Sequence, residues 1–180
     1  MSSRNNRKKK TKYLVVSAML SALGVVIMML GSVIEVLDLS TAVIASLLCI
    51  WAVIEIGGAY PWLIWSVTSV LSFLLLPQKT PVVFYALFAG YYPMLKEKLE
   101  RKFAPVIALP IKLVIFHAAL LLMYSALRLF IPSALDDLVG LWITVGVYLL
   151  SIVAFLVYDY ALTKLISGYV FRWRKYFKMK

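Results

Sequence analysis

The chain has 180 residues, 63% hydrophobic and 15% charged, with a mean hydropathy of +0.93 and a formal net charge of +11. An ordinary soluble domain is about half apolar and a quarter charged, so this composition predicts an integral membrane protein. One cysteine, Cys49, and one histidine, His117, exclude a disulfide framework or a multi-ligand zinc cage within the chain.

A helix crossing the hydrocarbon needs about 20 residues, so six crossings use about 120 residues and leave no room for a separate soluble domain. Breaks at charges and at Pro/Gly punctuation predict six apolar stretches: Tyr13 to Leu30, Leu39 to Ile56, Ala59 to Leu76, Pro81 to Leu95, Ala104 to Phe130 and Leu138 to Ser167. The first is expected to be retained rather than cleaved: its apolar run exceeds that of a signal peptide, and no clear small-x-small cleavage site precedes Glu35. Pro61 opens the third stretch behind the Gly57-Gly58 break. Thr80 is expected to cap the fourth and Pro81 to occupy its first turn, where a missing N–H costs nothing. Pro110 is expected to kink the fifth or to divide a short leading turn from the main span.

The expected fold is therefore an all-α integral membrane protein of six transmembrane helices. Residues 1–12 form a basic cytoplasmic tail, 13–168 the six-helix domain and 169–180 a second basic tail. Charge sets the orientation, because cytoplasmic flanks retain Lys and Arg. Of 19 basic residues, 16 fall in the N-terminal tail, after the fourth stretch or at the C-terminal end. Lys79 and Arg128 fall on the other side with Glu35, Asp38, Asp136 and Asp137, and Lys112 is left inside a span. Both termini are expected in the cytoplasm. The tails lack a recognition motif and read as topology determinants and anionic-lipid contacts rather than as a nucleic-acid surface.

At about 100° per residue, Ser17, Ala18, Ser21, Ala22 and Gly24 share one half of the first helix, against a bulky half. Thr41, Ala42, Ala45, Ser46, Cys49 and Ala52 repeat this flat face in the second, and Ser66, Ser69 and Ser72 flank Trp62 and Trp65 in the third. Such faces let backbones approach closely, either within the bundle or against a partner. His117, Tyr124 and Arg128 form one stripe on the fifth helix; Thr144, Tyr148, Ser151 and Tyr158 share a sector of the sixth, with Asp159 at its edge. Polar groups facing lipid are costly, so these stripes should turn inward, either to line an outward-opening pocket or to form a structural network. Glu55, Lys112 and Asp159 fall at one depth near the cytoplasmic boundary, as an ion pair or triad or as a proton or cation relay.

The sequence has no phosphate loop, C-x-x-C, H-E-x-x-H or G-x-S-x-G motif, so no enzymatic activity, cofactor or metal is expected. Size, helix count, orientation and the Ala-x-x-x-Ala motif at Ala18-Met19-Leu20-Ser21-Ala22 resemble the substrate-binding S components of bacterial energy-coupling factor transporters. The resemblance implies that Ala18 and Ala22 meet a transmembrane coupling protein, that ATP-binding subunits are separate chains, and that helices four to six with the loop after helix one form an outward-facing substrate site. In this reading, His117, Tyr124, Arg128 and Tyr148 bind a small nutrient in the cell membrane, with Trp142 stacking on it and Arg128 favouring a carboxylate or phosphate. The alternatives are a membrane scaffold or assembly protein without a transported ligand, and a stand-alone ion-coupled carrier using Glu55 or Asp159.

Overall fold

The computed structural model describes residues 2–33, 37–130, 141–169 and 171, and the described residues are helical with short turns. The helices are α1 (Ser2–Gly31), α2 (Asp38–Glu55), α3 (Tyr60–Leu75), α4 (Thr80–Phe84) running into a π-helical turn (Tyr85–Ala89), α5 (Tyr92–Lys102), α6 (Pro105–Phe130) and α7 (Leu141–Gly168). Four of them, α1, α2, α6 and α7, contain stretches long and apolar enough to cross a membrane, and α3 is a shorter apolar helix. The expected loop acids Glu35, Asp136 and Asp137, the start of the sixth stretch and the basic residues from Arg172 onward lie outside the described residues. The chain forms two compact units, residues 1–119 and 120–180.

In the first unit, α1 lies parallel to α3 and antiparallel to α2. Tyr13 meets Tyr60 edge-on at 5.6 Å, Ser21 O accepts from Thr68 Oγ1 at 3.5 Å, and Ser72 Oγ donates to Met28 Sδ at 3.7 Å, so contacts advance together along α1 and α3. Against α2 they run oppositely. Gly24 lies beside Leu48, and Gly31 touches Thr41 so closely that a Cβ at Gly31 would overlap the threonine. Small residues on each helix make these approaches possible. Ala42, Ala45, Ser46, Cys49 and Ala52 of α2 are buried, as are Ser17, Ser21 and Gly24 of α1, so most of the flat surface packs within the unit.

The helix ends have local causes. α2 stops where Gly57 and Gly58 adopt φ of 67° and 65°, a left-handed pair that side chains disfavour, while the Gly57 N–H returns to Ala52 O at 2.9 Å. α3 stops at Leu76, whose extended ψ of 135° is what the following Pro77 requires. Its end is closed by Lys79, whose Nζ donates to Phe73 O and Leu76 O at 2.7 Å each. Thr80 does not cap α4: it is the first helical residue, Lys79 holds the cap position, and no side-chain cap bond forms.

The expected fourth span, Pro81 to Leu95, is not one helix. After one turn of α-helix the backbone widens into the π-turn, with Gly90 N–H bonded to Tyr85 O at 2.8 Å, and a new helix begins at Tyr92 with Pro93 in its first turn. Widening leaves Ala86 O for another donor, and Trp65 Nε1 of α3 supplies it at 3.1 Å. Val82, Val83, Tyr85, Phe88, Ala89, Tyr92 and Met94 are buried, so this irregular backbone is surrounded by protein. Pro110 does not divide the fifth span, because α6 continues through it.

Candidate functional site

α5 organises the polar features of the first unit through two faces. Its i, i+4 pairs, Lys96–Glu100 and Glu97–Arg101, support the helix, and Arg101 and Lys102 in its last turn complement the helix dipole. On one face the Lys96 side chain is 0% exposed and lies 3.1 Å from Glu100, whose carboxylate also takes Lys112 of α6 at 2.6 Å. Lys112 is 6% exposed and Glu100 40%, so one carboxylate at the edge serves two buried ammonium groups. This gives Lys112 a partner that the sequence grouping with Glu55 and Asp159 did not include. Lys96–Glu100 was legible as an i, i+4 pair; Lys112 lies beyond a turn, and no local signal joins it to them.

The other face of α5 borders a cleft of about 710 Å³ between the α2–α3 turn and α5. Val53, Pro61, Trp62 and Met94 supply apolar walls, whereas Lys98, Arg101 and Lys102 make the rim basic. Lys98 Nζ sits 5.0 Å from the centre of the Trp62 ring, within cation–π range. Glu97, also at the rim, is 3.9 Å from Arg101.

The expected ligand stripe divides between the units. In the first, His117 Nδ1 lies 2.7 Å from Leu113 O; because a carbonyl can only accept, Nδ1 carries the proton in this bond. Its ring packs edge-on against Phe116 at 5.8 Å, and Phe116 meets Phe88 of the π-turn at 5.5 Å. In the second, Tyr124 and Tyr148 are 49% and 43% exposed, and Arg128 is exposed. Trp142 and Thr144 lie in α7, but their side chains fall outside the described residues. Ser151, Thr163 and Ser167 return their hydroxyls to carbonyls of α7 itself, at 2.7 to 3.0 Å. Asp159 O is the acceptor for Thr163, one turn away.

Ala18 and Ala22 are exposed on the flank of α1, one residue from the buried Ser17 and Ser21. Ala22 also borders an almost wholly apolar groove of about 850 Å³ formed with Leu48 and Trp51 of α2. Among the described residues, no group of three or more His, Cys, Asp or Glu could hold a metal ion. No protein-family model, curated protein or solved structure matches the chain.

Proposed function

We propose that this chain is a transport subunit of a bacterial cell membrane, resembling an S component of an energy-coupling factor transporter. It captures a small nutrient from the outer side and hands it over in complex with a separate transmembrane coupling protein and ATP-binding subunits. The observation that carries the reading is the division of α1. Ser17, Ser21 and Gly24 are consumed by internal packing, while Ala18 and Ala22 remain an exposed small-residue strip against which another helix can lie closely. Nutrient capture falls to His117, Tyr124, Arg128, Trp142 and Tyr148, with the guanidinium holding a carboxylate or phosphate.

In this reading the chain crosses six times with both termini cytoplasmic. α3, about 24 Å long at 1.5 Å per residue, and residues 81–95, which run from α4 through the π-turn into the first turn of α5, make the two short crossings. Two contacts support the orientation: Tyr13 on Tyr60 and Lys98 on Trp62 gather the basic end of α1 and the basic α5 at the start of α3.

Purified full-length protein should carry a small molecule identifiable by mass spectrometry. Arg128→Ala should lose it while inserting normally. A ligand retained at wild-type occupancy in that variant would remove Arg128 from the site. The exposed Ala18–Ala22 strip equally supports a scaffold. That second reading wins if the protein brings down another membrane protein but neither a small molecule nor an ATPase.

A further inference from the structure

We propose that the cleft between the α2–α3 turn and α5 binds the phosphate of an anionic phospholipid headgroup. Lys98, Arg101 and Lys102 place three cations within two turns of helix at its rim, against the single carboxylate of Glu97. The cleft is therefore net positive even with the Glu97–Arg101 pair formed. Its walls are apolar at Pro61, Trp62 and Met94, so the matching ligand is an anion attached to an apolar body. A phospholipid has that form: a phosphodiester for the rim and glycerol and acyl carbons for the walls. Trp62 steadies Lys98 from beneath by cation–π contact at 5.0 Å, fixing one ammonium at the mouth.

Location agrees with the chemistry. Tyr13, Tyr60 and Trp62 gather at this end of the unit, and amphipathic rings favour the headgroup level of a bilayer. The chain's own tails are excluded as occupants by charge, since residues 1–12 and 169–180 are strongly basic. The inference rests on membrane residence and is independent of the nutrient-capture reading. Free phosphate shares the anion chemistry but makes no use of the apolar walls.

The test is native mass spectrometry of the full chain in zwitterionic detergent, titrated with phosphatidylglycerol or phosphatidylcholine. One phosphatidylglycerol should be retained in preference to phosphatidylcholine. Lys98→Gln with Arg101→Gln should weaken that retention about tenfold or more, since each basic residue at an anionic surface contributes about fivefold. Lys98→Gln alone should weaken it about fivefold, and the matched single change Lys164→Gln, outside both tails and the cleft lining, should leave it unchanged. Lys98, Arg101 and Lys164 are exposed, and monodispersity in size-exclusion chromatography checks folding. The inference is overturned if the two lipids are retained equally or if the matched control weakens binding as much. It is also overturned if inorganic phosphate displaces phosphatidylglycerol at equal concentration, which would make the site one for a soluble anion.

Discussion

Gly90 has no side chain because Trp65 and Tyr85 occupy the space where one would begin. A Cβ there would lie 2.5 Å from the indole Cδ1 and 2.9 Å from two carbons of the Tyr85 ring. The indole cannot simply withdraw, since its Nε1 holds Ala86 O, and Tyr85 OH is itself 3.3 Å from Cys49 Sγ. One glycine thus allows α3 to lie against the π-turn and α2 to meet it from the other side. Gly90→Val should destabilise the protein by about 1–3 kcal/mol, the usual cost of forced overpacking, read as a lower unfolding temperature in detergent. Trp65→Leu in the same chain should recover part of the loss by yielding space, although it forfeits the bond to Ala86. Equal melting of Gly90→Val and the parent would contradict the close approach. The segment from Ala89 to Lys96 carries glycine, paired tyrosines and proline where one helix breaks and the next starts, and all of it but Tyr91 and Leu95 is buried.

Within α1, Ser17 and Ala18 are adjacent and both small, yet one is buried and the other is exposed. Periodicity alone places them in one half of the helix, and only the neighbour's position divides that half in two. The division is testable. Ser21→Leu, in the face against Thr68, should cost about 1–3 kcal/mol in thermal unfolding by overpacking. Ala18→Leu should fall within about 0.5 kcal/mol of the parent, as exposed substitutions do, while abolishing co-purification of coupling and ATPase subunits. A destabilised Ala18→Leu would mean that this strip is internal, and an intact complex would remove the docking role. The small face of α2 was readable from Ala42, Ala45, Cys49 and Ala52, and it is buried along its length, because spacing at three and four residues needs no tertiary information. The break near Gly90 was not readable: a π-turn differs from an α-turn by one hydrogen-bond register, and the donor that stabilises it, Trp65, lies on another helix. The Glu100–Lys112 pair escaped for the same reason, being set by how α5 folds back on α6.

At the scale of the molecule, composition and hydropathy sufficed for an all-helical protein with long apolar helices, since each helix satisfies its own backbone whatever its neighbours. The proposed six crossings depend on the short stretches at α3 and at residues 81–95, and the end of α3 is closed locally, by Lys79 on Phe73 O and Leu76 O. Charge then decides orientation, and it can be tested with an impermeant thiol reagent. The single native cysteine, Cys49, is buried in α2, so the parent chain should stay unlabelled in intact cells. With six crossings and the basic residues retained inside, Gln78→Cys, in the loop between α3 and α4, should be labelled from outside. Ser3→Cys and Lys178→Cys should be labelled only after the membrane is permeabilised. Five or seven crossings would put the two termini on opposite sides, so labelling of either one alone in intact cells would overturn the six-helix count. Labelling of both termini with protection of Gln78→Cys would instead reverse the orientation and place the basic cleft beside α5 on the outer leaflet.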